Sequence, residues 1–300
     1  MLPLGAAGNE SEENLMKPLV AVQTIVFSQI VEQEGFERVF RFIKELGVNE
    51  VELSKVPVNK DTMPEIRRLT KELGLHVCCM NINMEPAGPG DTALNLRDNL
   101  EEFAGYANEL NCGYLRVGCM PSWAFGKEEA HYRLAELVNS CGSRLSPYGI
   151  MFYYHHHEFE FQRYNGKLGL EILMENTDPE HVGFELDTHW LQFAGMNPVE
   201  WIHRMKGRAD LVHLKDYRIV MPKEGVEGLV TSPKEVRKKI VQFAEIGTGN
   251  LDMRSILDTC IECGVRYMPI EQDTSYELSP FESMKISVEN IKKMGYEDCF

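Results

Sequence analysis

The amino-acid sequence predicts an α/β protein whose strands and helices alternate and close into a (β/α)8 barrel. Short apolar runs typical of buried strands recur roughly every 25–50 residues along the chain, and amphipathic stretches fill the intervals. No G-x-G-x-x-G motif follows the first run, where a dinucleotide-binding fold requires it. The missing motif disfavours the open, doubly wound sheet, which is the structural alternative for this alternation.

Each apolar run has the length and the polar boundaries of a strand. The eight predicted strands cover residues 19–25, 50–53, 76–81, 113–118, 151–157, 182–188, 211–215 and 267–272. The intervals leave room for a crossover helix each time, as a parallel sheet requires. Eight such units at this chain length favour one barrel over two smaller domains.

The intervals contain helical patterns. The segment FERVFRFIKEL repeats apolar residues at a spacing of three to four and is followed by Gly47, a residue type that commonly ends helices. Helices are predicted over residues 36–46, 61–73, 97–110, 128–145, 198–205, 252–263 and 282–294. The long connection at 217–247 contains a further predicted helix at 233–243, and connections of this length often serve as lids or interfaces.

Composition and charge exclude several classes of protein. The chain has 300 residues, and 31 Lys and Arg stand against 46 Asp and Glu, a net charge of −15. We therefore expect no nucleic-acid partner, because such a surface repels phosphate backbones. No apolar run reaches the roughly 18 residues of a membrane span, and the eight cysteines are irregularly spaced. The start lacks the features of a signal peptide, so we expect a cytoplasmic protein with a flexible tail at 1–17 and a single catalytic barrel at 18–300.

Polar residues cluster where the last four predicted strands end. The strands run into His155, His156, His157 and Glu158, into Glu185, Asp187 and His189, into His213, Lys215 and Asp216, and into Glu271 and Asp273. Barrels of this class carry their chemistry at the carboxyl ends of the strands, and alternate residues of a strand share a face. Imidazole and carboxylate groups that converge there suit a divalent metal ion, which also removes the repulsion between the carboxylates.

Four further residues are candidates for substrate binding. Glu52 ends the second strand and Arg116 lies on the fourth, and each either contacts substrate or forms an internal ion pair. Glu185 lies on the same strand face as Asp187. Trp190, just past the sixth strand, is either a platform on which a sugar stacks or part of the core.

The polar strand ends also have purely structural interpretations. Asp187 is in a position to cap the next helical turn, and His213 alone is compatible with a buried core histidine. Lys215 is a candidate catalytic group that polarises a substrate oxygen, but it is equally placed to neutralise Asp216 or to pair with Glu271. Polar residues at all four strand ends together favour a shared site over four separate structural roles.

Four segments of the sequence carry a resemblance to a known family. In chain order they are ELDTHWLQFAGMNP, VHLKDYR, EIGTGNLD and IEQD. Together they resemble the xylose isomerase-like barrel superfamily of sugar phosphate isomerases and epimerases. The resemblance spans about residues 18–296. Within the superfamily, inosose dehydratases are similar at YHHH, HLKDYR and EQD. The subunits that cleave 3-oxo-glycosides, including C-glycoside deglycosidases, are similar at HHHEFEF and ELDTHW.

The resemblance implies four metal ligands, one from each of the last four strands, in the order Glu, Asp, His, Glu. The last three positions are matched by Asp187, His213 and Glu271. The first position differs from the pattern of the superfamily, because an ungapped placement puts His155 where relatives carry Glu. We predict that Glu158 fills it through a bulge at the strand end, which leaves His155 or His157 for proton transfer. We expect Mn²⁺, and Co²⁺, Zn²⁺, Fe²⁺ and Mg²⁺ suit the same donors.

The resemblance also implies a reaction class. We predict proton abstraction next to the carbonyl of an oxidised sugar, followed by β-elimination, as in a dehydratase or a 3-oxo-glycoside lyase, because the histidine-rich fifth strand offers both an acid and a base. The alternatives are a metal-dependent sugar isomerase or epimerase, a DNA-repair endonuclease, which the negative charge opposes, and a non-catalytic barrel subunit. Besides the sugar or glycoside substrate, we expect the chain to bind further copies of itself. The resemblance to deglycosidase subunits also implies a smaller partner subunit.

Overall fold

A closed barrel of eight parallel strands forms the centre of the protein. The structure is a computed structural model that describes residues 17–221 and 240–300. The strands are β1 (Leu19–Gln23), β2 (Glu50–Leu53), β3 (His76–Asn81), β4 (Tyr114–Val117), β5 (Met151–His155), β6 (Val182–Asp187), β7 (Leu211–His213) and β8 (Tyr267–Ile270). Neighbours in sequence pair in parallel, and β8 closes onto β1. The predicted barrel class and all eight predicted strands are confirmed.

Helices surround the barrel. They are α1 (Ser28–Glu34), α2 (Glu37–Glu45), α3 (Met63–Leu73), α4 (Leu96–Glu109), α5 (Glu128–Leu145), α6 (Gly169–Asn176), α7 (Thr188–Phe193), α8 (Pro198–Arg204), α9 (Met253–Cys263) and α10 (Pro280–Lys293). Short 3₁₀ turns occur at Thr24–Phe27, Ser122–Ala124, Ser146–Tyr148, Phe159–Phe161 and Glu297–Cys299. Among the helices in the described ranges, none combines the length and the apolar character that crossing a bilayer requires. Seven helices agree with the predicted segments, whereas α1, α6 and α7 were not predicted.

Two antiparallel hairpins extend the barrel. One joins Arg163–Tyr164 to Lys167–Leu168, and the other joins Asp216–Ile219 to Val241–Ala244. The helix predicted at 233–243 is wrong for its last three residues, which belong to the second hairpin, because the alternating segment VQFA suits a strand. Residues 233–239 of that predicted helix, and all of the predicted tail except Lys17, lie outside the described residues.

The interior of the barrel contains a small cluster contributed by alternate strands. Ala21, Cys78, Cys79, Tyr153 and Leu211 come from β1, β3, β5 and β7 and are at most 2% exposed. Layers built from alternate strands are the usual filling of this barrel class. A much larger cluster packs the strands against the surrounding helices, for example through Val39, Phe40 and Ile43 of α2. The cysteines of the interior layer are free thiols that serve as small apolar groups.

Gly183 of β6 leaves the space that the Tyr153 ring occupies in this layer. A Cβ atom at position 183 would lie 2.3 Å from Cε1 of Tyr153. We expect Gly183→Ala to lower the free energy of unfolding by about 1–3 kcal/mol, because the extra methyl overpacks a filled interior. Urea denaturation measures the loss. Gly113→Ala is the matched control, since a Cβ there meets nothing within 4 Å, and equal stability of the two variants would contradict the prediction.

Candidate active site

The carboxyl ends of β5 to β8 bring four polar side chains together. One donor atom of each lies within 4.8 Å of the corresponding atoms of the others, and all four side chains are buried. We call this set the mouth group, and it consists of His155, Asp187, His213 and Glu271. Parallel strands end at the same edge of the barrel, so residues remote in sequence meet there. The convergence predicted for strands five to eight is therefore found.

Asp187 caps the next helix, as its position suggested, and also belongs to the mouth group. Its Oδ1 atom accepts a hydrogen bond of 2.9 Å from the backbone N–H of Trp190 and so caps α7. Its Oδ2 atom is buried and has no hydrogen-bond partner. Burial raises the pKa of this carboxyl to about 6. The helix cap fixes the side chain and leaves one oxygen free within the mouth group.

His213 stands between the mouth group and a deeper set of charges. Its Nδ1 atom lies 2.8 Å from Oε2 of Glu271 and 3.8 Å from Oδ2 of Asp187. Its Nε2 atom faces the other way and lies 3.1 Å from Oε2 of Glu52 and 3.0 Å from Oε1 of Glu185. Burial opposes a charge on the ring, but Glu185 and Glu52 outweigh it and raise the pKa of His213.

Beneath the mouth group lie Glu52, Arg116 and Glu185, which we call the floor group. The Nε atom of Arg116 lies 2.8 Å from Oε1 of Glu52 and 2.9 Å from Oε2 of Glu185. Burial disfavours charge on Glu52, but Arg116 and His213 prevail and hold its pKa at about 2. The side chains are at most 3% exposed. The charged groups of these three residues are engaged with one another, which is the ion-pair alternative given for Glu52 and Arg116. Their predicted contact with substrate stays a prediction.

His155 is the residue that the end of β5 contributes to the mouth group, and Glu158 does not belong to this group. The pairing of β5 with β6 runs without a register shift to His155 opposite Glu185, so no bulge turns Glu158 inward within this strand pair. Glu158 instead precedes the Phe159–Phe161 turn and lines a surface groove beside Phe159. We therefore replace Glu158 by His155 as the candidate ligand.

His157 lies beside the mouth group with a free ring nitrogen. Its ring is 4.9 Å from that of His155 and 5.2 Å from that of Trp190, and its Nδ1 atom has no hydrogen-bond partner. Burial lowers the pKa of His157 to about 4, so the imidazole is neutral near pH 7. The predicted stacking role of Trp190 stays a prediction, and its ring forms the wall next to His157.

Glu160 is a buried residue of the site that the sequence analysis missed. Its carboxylate accepts a 2.6 Å hydrogen bond from the Tyr154 hydroxyl and a 2.9 Å bond from the backbone N–H of His157. Burial raises the pKa of Glu160 to about 7. The available signal was that HHHEFEF has a second acidic residue, and this residue lies within the Phe159–Phe161 turn.

Lys215 is 1% exposed and surrounded by carboxylates. Its Nζ atom lies 2.7 Å from Oδ2 of Asp273 and 3.1 Å from Oε2 of Glu271, and it also faces the Trp190 ring at 5.0 Å. The pairing with Glu271 that the sequence allowed is present. Neutralisation of Asp216 is not, because that carboxylate accepts backbone N–H groups at 247, 249 and 251 and anchors the EIGTGN turn.

The mouth group has the composition and the charge of a divalent metal site. Two imidazoles and two carboxylates are donors that Mn²⁺, Zn²⁺, Co²⁺ and Fe²⁺ accept. Across the two groups and Asp273, five carboxylates face two permanent cations within the described part of the chain, Arg116 and Lys215. Buried negative charge without compensation is costly, and the orphaned Oδ2 of Asp187 points to a missing partner. The residues therefore fit a metal ion.

Fold and site together define a (β/α)8 barrel with a candidate metal centre at its carboxyl mouth. Residues 40–271 match the family model described as Xylose isomerase-like TIM barrel. The chain therefore belongs to this family, as its sequence motifs predicted.

Curated relatives of similar sequence are inosose dehydratases. The protein from Geobacillus thermodenitrificans is 27% identical over 158 residues, which cover 52% of this chain and 51% of the relative. The protein from Lactiplantibacillus plantarum is 25% identical over 236 residues, or 70% and 76% of the two chains. The chain thus spans about half the length of the first of these relatives.

Solved structures share the fold at low sequence identity. A sugar phosphate isomerase/epimerase from Parabacteroides distasonis has a TM-score of 0.72 at 18% identity and covers 92% of this chain and 98% of its own. A probable 3-DHS dehydratase from Bacillus anthracis has a TM-score of 0.65 at 14% identity, with 92% and 99% covered. At these identities the likeness shows the fold alone.

Proposed function

We propose that the protein is a divalent-metal-dependent enzyme that removes a proton next to the carbonyl of an oxidised sugar and then expels a β-substituent. The observation that carries the proposal is the mouth group with the neutral, unpartnered imidazole of His157 beside it. The inosose dehydratases among the relatives support it, because a dehydratase of a keto-polyol performs this type of elimination.

The mouth group would hold the ion, with Mn²⁺ as the first expectation. A bound divalent ion supplies Lewis acidity, which stabilises negative charge that develops on a carbonyl oxygen. The floor group supports this arrangement from below, since Glu52 contacts the opposite edge of the His213 ring. Lys215 contributes fixed positive charge next to Glu271 and keeps its carboxylate in place.

His157 is the proposed proton-transfer residue. The C–H bond next to the carbonyl breaks, the proton passes to the imidazole, and the electron pair moves toward the carbonyl oxygen. The carbonyl then re-forms and its returning electron pair makes a C=C double bond between the α and β carbons. The bond to the β-substituent breaks, its electron pair leaves with the departing oxygen, and that oxygen takes the proton from the imidazole. His155, the other candidate for this role, is engaged in the mouth group, and the backbone of His157 is anchored by Glu160.

The reaction is tested by following both the solvent proton and the leaving group. Mn²⁺-loaded protein in heavy water is incubated with inosose, with 3-oxo-glycosides and with ketoses, and mass spectrometry follows deuterium uptake and loss of water or aglycone. Elimination products support the proposal. Deuterium uptake without elimination would favour the isomerase or epimerase alternative, and the absence of both would contradict a catalytic role on these substrates.

The assignment of the first ligand makes a separate prediction. We expect His155→Ala to weaken Mn²⁺ binding by at least about 100-fold, because losing a direct ligand should cost more than losing a partner of a ligand. Glu158→Gln is the control and should bind Mn²⁺ as the unmodified protein does. Titration calorimetry measures both. A weakened Glu158 variant next to an unaffected His155 variant would restore the original prediction.

A further inference from the structure

The second histidine of the segment HHHEFEF, His156, has no role in the proposed function. Its side chain is 0% exposed. Its Nε2 atom accepts a 3.1 Å hydrogen bond from the backbone N–H of Asp187, and its Nδ1 atom lies 3.2 Å from the backbone oxygen of His157. A backbone N–H only donates and a carbonyl oxygen only accepts, so each contact has a defined direction. The imidazole therefore joins the chain that follows β5 to the last residue of β6.

This contact lies beyond the last paired residues of the two strands. The pairing of β5 with β6 ends with His155 opposite Glu185, two residues before Asp187. Strand β5 also ends at His155, and the imidazole of the next residue supplies an acceptor beyond that end. Without it the N–H of Asp187 would be a buried donor that lacks this partner, which is costly.

Thr188 makes an equivalent connection between β6 and β7. The pairing of these strands ends with Asp187 opposite His213, and Thr188 directly follows with 0% exposure. Its Oγ1 atom accepts a 2.9 Å hydrogen bond from the backbone N–H of Lys215. The same atom lies 3.1 Å from the carbonyl oxygen of His213 and 3.0 Å from that of Lys215, and one of the two accepts the hydroxyl proton. A single hydroxyl thus joins the ends of the two strands.

The backbone itself joins the ends of β7 and β8. The N–H of Leu214 donates to the oxygen of Pro269 at 2.9 Å, and the N–H of Glu271 donates to the oxygen of Leu214 at 3.1 Å. The strands that carry the mouth group are therefore connected at all three junctions, twice through a side chain. Asp187 and His213 lie at the junctions that depend on side chains.

We propose that His156 and Thr188 are positioning residues, whose side chains hold the ends of β5, β6 and β7 together and thereby keep Asp187 and His213 at the spacing that the ion requires. Both act through the backbone of these neighbours. A metal site needs ligands that their surroundings hold in place before the ion binds. The effect on the ion rests on the metal binding of the proposed function, whereas the hydrogen bonds are independent of it.

Hydrogen exchange in the metal-free protein, followed by NMR, tests each contact separately. We expect His156→Leu to speed exchange of the Asp187 amide by at least about 10-fold and to leave the Lys215 amide nearly unchanged, because one buried donor loses its acceptor. Thr188→Val should have the reverse effect. Equal acceleration of both amides in both variants would indicate a general loss of stability and overturn the proposal.

The unmodified protein tests the His156 contact without any substitution. A ¹⁵N–¹⁵N coupling through the hydrogen bond should link the backbone nitrogen of Asp187 to Nε2 of His156. Its absence would overturn the role of His156, and this result does not require that His156→Leu folds.

Titration calorimetry with Mn²⁺ relates the two contacts to the ion. His156→Leu and Thr188→Val should each weaken Mn²⁺ binding by about 10–100-fold. His156→Gln and Thr188→Ser keep an oxygen that accepts a hydrogen bond and should retain most of the affinity. Unchanged affinity in the folded Leu and Val variants, checked by circular dichroism, would overturn the positioning role.

His131→Leu is the matched control for the loss of a buried histidine. His131 is 1% exposed and its Nδ1 atom lies 2.8 Å from the backbone oxygen of Lys127, but it belongs to neither the mouth group nor the floor group. This variant should bind Mn²⁺ as the unmodified protein does. An unmodified protein that does not bind Mn²⁺ would contradict the proposed function, and the exchange rates and the coupling would still decide whether these side chains hold the strand ends together.

Discussion

The Asp187→Asn variant is expected to lose its bound divalent ion and at least about 1,000-fold in kcat while it remains folded. A loss of this size corresponds to about 4 kcal/mol of transition-state stabilisation, within what a catalytic metal ion supplies. Asparagine caps helices as well as aspartate does, so the hydrogen bond from the Trp190 backbone that begins α7 is retained. The substitution removes the charge of the free Oδ2 atom and little else.

Asp252→Asn is the matched control for this variant. Asp252 also caps a helix, since its Oδ1 accepts from the backbone N–H of Ser255 at the start of α9, but it belongs to neither the mouth group nor the floor group. Its asparagine variant should bind Mn²⁺ and turn over normally. Elemental analysis and steady-state kinetics compare the two. An Asp187→Asn protein that retains its ion would remove the central ligand from the proposed site.

The position of the site was predictable because barrel strands are periodic and end at a common edge. Each apolar run indicated where a strand stops. Asp187 and His213 are the last residues of β6 and β7, and Glu271 directly follows β8. The convergence of three mouth-group residues could therefore be predicted from the local sequence pattern and from the general topology of the barrel. The same reasoning failed one strand earlier, where four consecutive polar residues begin at His155. Only the unshifted pairing of β5 with β6 decides which of them faces inward.

The floor group was not predictable in the same way. Glu52, Arg116 and Glu185 lie on three strands, and the sequence does not state the register that brings their side chains to within 3 Å. The ion-pair alternative for Glu52 and Arg116 was visible, but the contacts of Glu52 and Glu185 with His213 depend on how far each strand is shifted along the barrel. The hairpin that places Phe243 over Lys215 has the same origin, since its two strands are separated by residues 220–240.

The two groups share one electrostatic arrangement. Arg116 compensates the deep carboxylates and Lys215 those at the rim, while a divalent ion would compensate the remainder between them. The permanent cations also fix the carboxylates before any ion arrives, which reduces the reorganisation that binding requires. The hydrogen bond by which Asp187 caps α7 likewise holds its side chain in place before an ion binds. Charge balance thus links the stability of the barrel interior to metal binding at its mouth.

The second large effect is expected from His157→Gln, which should lower kcat by about 10²–10⁴-fold without changing Mn²⁺ affinity. Loss of a positioned acid–base group has an effect of this size. The anchor of this residue is its backbone N–H, which donates to Glu160, so replacing the ring leaves the turn in place. Glutamine remains polar but does not take up a proton near neutral pH. Deuterium uptake at the substrate carbon measures the step directly, and calorimetry measures the affinity.

His181→Gln provides the comparison, because His181 precedes β6 at the opposite end of the barrel and should be replaceable without effect on catalysis. The combination of results separates the possible roles of His157. Loss of deuterium uptake at the substrate carbon together with normal Mn²⁺ binding would assign proton transfer to His157. Loss of Mn²⁺ binding would instead make His157 a ligand in the place of His155. Full activity would contradict both roles and leave the elimination without its acid–base group, because the proposal already assigns His155, Asp187 and His213 to the ion.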